Sequence, residues 1–354
     1  MTMMKLIHTA DLHLGSRLSS RFPAELAEAR REEVRRSLRR LVDYAQGEGV
    51  SAVLLSGDIF DSPRPPKREV EFFLRTLASA PEVRFLLLFG NHDRGLSLDL
   101  PPNCTLFSDV WQSVDLGGVT VSGVEMTEEN ALTLYSSVPK VAGISIVMLH
   151  GQVSSSPGMD QVCLKDLRGR GIDYLALGHV HAPELGELER GALWAYSGTP
   201  EGRGFDETGE RGFVLLTAED TLFAEFIPFS EHPIYEFEVD VSGVHDLYEA
   251  ADRLRAHIPD PRAICRFLMT GRVERDVSLS EERIAAELSS DCAFSSVKDH
   301  TRPVLPIEEY RGELSLRGEF VRTVLAREDL SREDKEAVLL LGLRALEGGD
   351  LLCD

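Results

Sequence analysis

Cysteine is scarce in this sequence and follows no binding pattern. The 354 residues include five cysteines, none of them in a CxxC pair: Cys104, Cys163, Cys265, Cys292 and Cys353. An odd and scattered set argues against a disulfide framework and against a zinc–thiolate site. We therefore expect a protein of the reducing cytoplasm.

Long apolar runs are absent as well. No segment approaches the roughly 20 consecutive apolar residues that a membrane-spanning helix needs. Residues 1–11, MTMMKLIHTAD, meet polar side chains too early for the apolar core of a signal peptide. We expect no membrane segment, and the sequence contains no internal repeat and no low-complexity tract.

Positive charge is in deficit. The 38 lysines and arginines are outnumbered by 59 aspartates and glutamates, which gives a formal net charge of −21. This charge opposes nonspecific attraction to a polyanion. Any contact with nucleic acid therefore has to rely on local positive charge or on a partner.

The length and the pattern of apolar residues predict an α/β protein of two or three domains. Buried strands alternate with helical segments up to about residue 230, where Pro228 and Pro233 interrupt the pattern. A second set of strands and helices follows. We predict three regions, which are residues 1–230, a small α/β domain at 235–305 and a helical tail at 306–354.

Several predicted strands end in the same way, with an apolar run that stops at side chains able to bind or move charge. In residues 85–93, FLLLFGNHD, the apolar run stops at Gly90. Open α/β sheets bind ligands just past the carboxyl ends of their strands. We therefore expect five such strand ends to meet at one site, through these residues: Asp11, His13, Asp58, Asn91, His92, His150, His179 and His181.

The residue types at these strand ends indicate a metal site. Carboxylate, imidazole and amide groups together suit Mn²⁺, Fe²⁺, Zn²⁺ or Mg²⁺. The set exceeds what one ion needs but fits two ions roughly 3.5–4 Å apart, with Asp58 as the natural bridge because a carboxylate has two oxygens to share. Two divalent ions outweigh the charges of Asp11 and Asp58, which favours an anionic phosphodiester as substrate.

Five blocks of sequence resemble the calcineurin-like metallophosphoesterases: residues 11–13 (DLH), 57–61 (GDIFD), 90–93 (GNHD), 150–151 (HG) and 178–181 (GHVH). More narrowly, residues 11–15 (DLHLG), 57–61 and 196–203 (YSGTPEGR) resemble the SbcD-type DNA-repair exonucleases, which partner an SMC-like ATPase. The resemblance implies a sandwich of two sheets flanked by helices, followed by a small α/β capping domain and a helical tail. It also implies two metal ions that share Asp58, the first bound by Asp11, His13 and His181 and the second by Asn91, His150 and His179.

The resemblance implies roles for further residues. His92 matches the catalytic histidine, which protonates the leaving oxygen or stabilises charge there. Asp93 would orient His92 from behind. Arg203 and Arg64 are candidates for binding the substrate. One departure is Asp61, which stands where archaeal and eukaryotic members of the family carry a second active-site histidine.

The leading hypothesis is an Mn²⁺-dependent exonuclease or endonuclease subunit that acts on DNA in repair. The resemblance implies an SMC-like ATPase partner and a homodimer through the N-terminal domain. One alternative is a phosphodiesterase or phosphatase acting on a small nucleotide at the same site. Another is a metal-stabilised scaffold without catalysis, against which Asn91 and His92 argue. The small domain after residue 235 favours a polymeric substrate.

Three weaker features have ordinary interpretations. The arginine-rich segment 30–40 is interpreted as the solvated face of a helix, with a phosphate-binding track as the alternative. The apolar stripe at 338–346 is interpreted as a helix docked on its own domain, with a partner-binding helix as the alternative. His8 is expected to pack within a strand.

Overall fold

The computed structural model describes residues 3–18, 22 and 24–346, which divide into two compact units. The first unit runs through Glu236 and adds Ile258–Arg266 and Ser289–Ser295. The second unit holds Phe237–His257, Phe267–Leu288 and the described residues from Ser296 onward. No helix in the described part of the chain is long and apolar enough to cross a membrane. The predicted domain limits near residues 230 and 305 stay predictions.

Fourteen strands precede residue 230 in the described chain: β1 Met4–Thr9, β2 Ala52–Ser56, β3 Arg84–Leu88, β4 Cys104–Leu106, β5 Gln112–Asp115, β6 Val119–Gly123, β7 Ile144–His150, β8 Gln152–Ser154, β9 Gln161–Cys163, β10 Tyr174–Gly178, β11 Glu184–Glu189, β12 Ala192–Tyr196, β13 Gly212–Ala218 and β14 Leu222–Pro228. The helices of this segment are α1 Ala24–Gly47, α2 Lys67–Ala78 and α3 Leu164–Leu167, with a 3-10 turn at Leu134–Ser137.

The strands of the first unit form two six-stranded sheets. The first sheet has the order β14-β13-β1-β2-β3-β4, and β1 to β4 run parallel. The second has the order β11-β12-β10-β7-β6-β5, and β6, β7, β10 and β12 run parallel. Antiparallel strands complete each sheet. This arrangement confirms the predicted two-sheet α/β sandwich.

The central strands are apolar along their whole length because both of their faces are buried. In β2, Leu54 lies in the core between the two sheets together with Leu86 and Met148. The alternate residue Leu55 lies on the other face, in a cluster that includes Leu38 of α1 and Phe73 of α2. Helices therefore cover the outer face of the first sheet, as the sandwich prediction requires.

The short strands that apolar patterning did not identify lie mainly at sheet margins. The edge strands β5 and β14 are partly exposed, and the edge strand β11 carries three glutamates. Pairing with a neighbouring strand holds such segments extended, and they need no continuous apolar run of their own. Apolar patterning therefore does not identify them. The parallel pair β8 and β9 was missed for the same reason.

The remaining elements are β15 Ile234–Asp240, α4 Leu247–Arg255, β16 Ile264–Thr270, β17 Arg272–Val273, α5 Glu281–Glu287, β18 Phe294–Asp299, β19 Arg302–Pro303, α6 Ile307–Gly312, α7 Leu316–Ala326 and α8 Arg332–Leu346. Strands β15, β16 and β18 form a three-stranded sheet in that order. Within the second unit, Leu339 and Leu343 of α8 are buried in a cluster with Tyr310 of α6 and Val321 of α7. Part of the apolar stripe of α8 is therefore docked on its own unit, as predicted.

Candidate metal centre

The predicted strand ends do meet at one edge of the sandwich. Strands β1, β2 and β3 of the first sheet, and β7 and β10 of the second, lead into the predicted ligands. Three groups of side chains have ligand atoms within 4.8 Å of one another: Asp11 with His13 and His181, His13 with Asp58 and His92, and Asp11 with Asp58 and His150. The groups share members, so they form one continuous site.

Asp58 lies between two of the histidines. Its Oδ2 is 3.5 Å from His150 Nε2 and 3.7 Å from His13 Nε2. Its Oδ1 accepts a hydrogen bond of 3.0 Å from the backbone N–H of His92. A carboxylate with a histidine nitrogen on either side is placed to bridge two ions.

The other predicted ligands fall on two sides of Asp58. On one side, His13 Nε2 and His181 Nε2 are 3.2 Å apart. On the other side, Asn91 Oδ1 lies 3.1 Å from His150 Nε2 and 3.1 Å from His179 Nδ1. Two nitrogens at that separation, and an oxygen shared by two histidines, are donor sets that fit a divalent cation.

The backbone around the site is held in conformations that non-glycine residues rarely adopt. Positive φ angles of 55°, 45°, 50° and 104° occur at Asp11, His13, Asp58 and His179, respectively. These are four of the six non-glycine residues with positive φ in the described chain. Each such residue costs about 1–3 kcal/mol and persists only where its surroundings enforce it. Hydrogen bonds of 3.0 Å from Asp11 N to Gly57 O and from His13 N to Asp58 O help to enforce them.

Three glycines make room for the imidazole of His150. A Cβ atom on Gly90 would lie 2.6 Å from His150 Nε2, and one on Gly178 would lie 2.8 Å from His150 Nδ1. A Cβ on Gly57 would overlap the same ring. The close approach of His150 therefore favours glycine at all three positions, and of the three only Gly57 also has φ in the left-handed region, at 95°.

The charge of the site favours a cation. Burial alone would lower the pKa of His150, but the hydrogen bond and the charge of Asp58 outweigh burial and raise it to about 9. Burial would raise the pKa of Asp58, yet the hydrogen bond and charge of His150 hold it below its ordinary value. The charge of Asp58 and a positive charge on His150 thus stabilise each other, so the field of the site favours positive charge beside Asp58.

His92 differs from the other histidines of the site because it is exposed. Its Nδ1 lies 3.3 Å from the backbone oxygen of Asp61, so Nδ1–H donates there and Nε2 carries the free lone pair. Its ring centroid is 4.8 Å from that of His13 in an edge-to-face arrangement. An anchored but exposed imidazole beside the ligands is able to exchange a proton with a substrate.

Asp93 does not support His92 in the way that the resemblance implied. Its fully buried carboxylate accepts hydrogen bonds from the backbone N–H groups of Ile59, Phe60 and Gly90, at 2.7, 3.2 and 2.7 Å. Burial raises the pKa of Asp93 to about 7. Three backbone donors satisfy this carboxylate better than one imidazole would, so Asp93 ties the β2 and β3 loops together instead.

The two candidate substrate arginines are in different situations. Arg203 is 3% exposed, and its guanidinium is bonded to Glu207 with distances of 2.5 to 3.2 Å. Arg64 is exposed, three residues after Asp61, and its side chain makes no hydrogen bond or ion pair with any residue that the structure describes. Of the two, Arg64 is the one whose charge is available to a ligand.

Sequence reasoning missed Glu207, a buried carboxylate whose Oε1 lies 2.9 Å from His181 Nδ1. Burial opposes ionisation of Glu207, but His181 and Arg203 hold its pKa below the ordinary value. An acidic residue in the loop that follows the last metal block was the available signal. The solvated-face interpretation was wrong for Arg30, which is fully buried and bonds Glu33 and Glu201.

Comparison with known proteins identifies the family of this chain. The family model described as calcineurin-like phosphoesterase matches residues 4–183, about half of the chain. The chain belongs to the calcineurin-like phosphoesterase family, and it is a metal-dependent phosphoester hydrolase.

Individual relatives are similar to this chain over different shares of its length. The uncharacterized metallophosphoesterase YhaO of Bacillus subtilis is 29% identical over 238 residues, which are 61% of this chain and 58% of that protein. The DNA double-strand break repair protein Mre11 of Aeropyrum pernix is 28% identical over 321 residues, 80% of this chain and 76% of that protein. A solved dimetal phosphatase from Danio rerio aligns with a TM-score of 0.43 and 12% identity, over 63% of this chain and 95% of that one. The match with the Bacillus relative thus spans less than two thirds of that protein's length.

Proposed function

We propose that this chain is a nuclease subunit that hydrolyses DNA phosphodiester bonds with two bound Mn²⁺ ions. The observation that carries the proposal is the meeting of Asp58 with the six other predicted ligands, beside the exposed imidazole of His92. The choice of DNA rests on relatives such as the Aeropyrum protein, which is named for DNA double-strand break repair.

In this proposal Asp11, His13 and His181 would hold one ion and Asn91, His150 and His179 would hold the other, with Asp58 available to both. Bound there, the ions would supply Lewis acidity to activate the attacking water and to neutralise the phosphate. His92 holds its Nδ1 proton against the Asp61 carbonyl, takes up a second proton at Nε2 from solvent, and delivers that Nε2 proton to the leaving oxygen. The buried walls around Asp11 and Asp58 limit the access of other water to the ligands.

Local positive charge supports a polymeric substrate despite the net charge of −21. Arg64, Lys67 and Arg68 follow the Asp58 loop, and the side chains of Lys67 and Arg68 are 91% and 74% exposed. Such a strip next to the metal site can contact successive phosphates. The first unit, in this proposal, also forms a homodimer that places two such strips on one DNA.

An SMC-like ATPase is the proposed partner. Val338 and Leu341 of α8 are 38% and 42% exposed, while Leu339 and Leu343 face the interior of the second unit. The exposed half of this stripe is available to an apolar partner helix. We further propose a cytoplasmic location, which the free thiols of the four described cysteines support.

A phosphodiesterase acting on a small nucleotide is the second candidate, and the acidic net charge favours it. The deciding experiment assays the full chain with Mn²⁺ on labelled single- and double-stranded DNA, and in parallel on cyclic nucleotides. We expect DNA cleavage, and a fall of about 10²–10⁴-fold in His92→Ala.

His245→Ala is the matched control, since His245 is an exposed histidine of the second unit and should leave the rate unchanged. Turnover of the cyclic nucleotides alone would replace the nuclease proposal with the second candidate. A His92→Ala variant that cleaves DNA at the wild-type rate would remove His92 from the reaction.

A further inference from the structure

The residues behind His181 form a compact charged cluster. The loop between β12 and β13 places Glu207 against His181, and Arg203 N and Nε both donate to the Glu207 carboxylate. Arg211 fastens the same loop, with Nη1 donating to the His181 carbonyl at 2.9 Å. These side chains are at most 4% exposed, so solvent does not compete for their bonds.

The contacts of His181 Nδ1 decide which of its nitrogens carries the proton. Glu207 Oε1 and Arg203 Nη2 lie 2.9 and 3.0 Å from Nδ1. An arginine only donates, and Nη2 has two N–H groups, of which one bonds Glu207 Oε1 at 2.5 Å. A carboxylate only accepts, and the shorter contact of Nδ1 is the one to Glu207, so we assign the proton of neutral His181 to Nδ1 and the lone pair to Nε2.

His13 is held in the same way by a different carboxylate. Its Nδ1 is 3.1 Å from Asp61 Oδ1, and an ionised carboxylate can only accept, so Nδ1 carries the proton. The Nε2 atoms of His13 and His181, 3.2 Å apart, therefore face each other with two lone pairs. Two acceptors in that position attract a shared cation.

Arg203 connects the two carboxylates. Its Nη1 lies 3.5 Å from Asp61 Oδ1, while Nε and Nη2 are bonded to Glu207. One guanidinium thus contacts both of the carboxylates that hold His13 and His181, and links them. Because its donors are engaged in this way, Arg203 is a positioning residue and does not reach the substrate.

We propose that Asp61, Arg203 and Glu207 act as one positioning unit, which fixes His13 and His181 in the Nδ1–H tautomer and thereby sets the affinity of one of the two metal positions. The inference rests on the proposed function in taking both histidines as ligands. Carboxylates behind metal-binding histidines commonly change metal affinity by about 10–100-fold. Asp61, which stands where the resemblance implies a second active-site histidine, supports a ligand in this chain.

Calorimetric titration of the full chain with Mn²⁺ tests the affinity. The wild type should bind two ions, and Glu207→Gln should weaken one of them by about 10–100-fold while the other keeps its affinity. Glu201→Gln is the matched control, because Glu201 is equally buried in the same loop and paired with Arg30, but touches no ligand. It should leave both affinities unchanged.

Asp61→Ala keeps the test decisive if Glu207→Gln does not fold, since the Asp61 side chain is 34% exposed. It should weaken the same single ion. The double variant Asp61→Ala/Glu207→Gln should bind this ion more tightly than the product of the two single-variant fold losses predicts, because one arginine couples the two carboxylates. If the fold losses simply multiply, Arg203 does not couple them and is not part of the unit.

Proton positions provide a readout that does not depend on metal. In ¹⁵N-histidine NMR of the metal-free chain, His13 and His181 should carry the proton on Nδ1, and Glu207→Gln should shift His181 towards the Nε2–H form. Unchanged tautomers with unchanged affinities would overturn the proposal, as would an equal loss in Glu201→Gln. Absence of Mn²⁺ binding by the wild type would instead contradict the proposed function.

Discussion

At the scale of the residue, two equally buried histidines have pKa values that are shifted in opposite directions. His8 lies between the Tyr174 hydroxyl at 2.9 Å and the Leu177 carbonyl at 3.1 Å, and burial lowers its pKa to about 3. His150 faces Asp58, and its pKa is raised to about 9. Burial is common to both, so the charge of the neighbouring group decides whether the ring is a neutral packing residue or a cation.

His8 should make the stability of the protein depend on pH. Its folded pKa of about 3 lies below the ordinary 6.5, so the unfolded chain takes up the proton first. The stabilisation is complete above about pH 6.5 and is lost at about 1.4 kcal/mol per pH unit as the pH falls towards 3.

Urea unfolding at pH 7 and pH 5, in the presence of a chelator, measures this difference. Tryptophan fluorescence reports the first unit, because both Trp111 and Trp194 belong to it. The wild type should lose about 2 kcal/mol more than His8→Gln, whose amide can bond the same partners without titrating. Equal losses in the two proteins would show that His8 is protonated in the folded state.

At the scale of the element, each strand end provides both a ligand and the space for it. The glycines after β2, β3 and β10 surround His150, and a Cβ on Gly90 would also overlap Asp58. The φ of Gly90 is not in the left-handed region, so alanine there is opposed by the neighbouring ligands and not by the backbone.

Gly90→Ala should therefore damage the metal site more than the fold. We expect displacement of His150 and Asp58, and a fall in phosphodiester hydrolysis on the order of 10²-fold. Gly47→Ala, at the exposed end of α1 with no atom near its new Cβ, is the control and should be neutral or slightly stabilising. Hydrolysis rates and Mn²⁺ titration of the two variants decide between these outcomes. Equal activity in both would show that the site accommodates the methyl group.

At the scale of the molecule, the metal site should contribute to the stability of the first unit. Asp11 and Asp58 are 0% and 2% exposed, so bound cations would relieve the cost of their buried charge. Ligand at 100 times its dissociation constant stabilises a folded protein by about 2.7 kcal/mol per site. Mn²⁺ should therefore raise the thermal midpoint by several degrees relative to a chelator.

Asp58→Asn should abolish most of this shift, since it removes the bridging charge. Asp246→Asn is the control, because Asp246 caps α4 in the second unit and asparagine caps almost as well. Thermal unfolding followed by tryptophan fluorescence measures both. A full Mn²⁺ shift in Asp58→Asn would show that Asp58 is not a ligand.

At the same scale, the first unit is assembled from segments that are separated in the sequence. Proline and polar residues predict a boundary near 230, which stays a prediction, and the main segment of the first unit runs to Glu236. That unit also includes Ile258–Arg266 and Ser289–Ser295, which lie farther along the chain. Ile264 belongs to the same buried cluster as Leu18 and Ile234, a contact that linear patterning does not reveal.

The sequence by itself determined the central strands, the class of fold and the residues that gather at the site. These features follow from local sequence patterns, because an apolar run that ends in a glycine and a metal-binding side chain lies within about ten consecutive residues. Only the tertiary structure decided the partners of the charged residues. Arg30 meets Glu201 across 171 positions, and Arg203 meets Asp61 across 142. A buried charge requires a countercharge from whichever segment packs beside it, so the roles of Asp93, Arg203 and Glu207 emerged only from the folded chain.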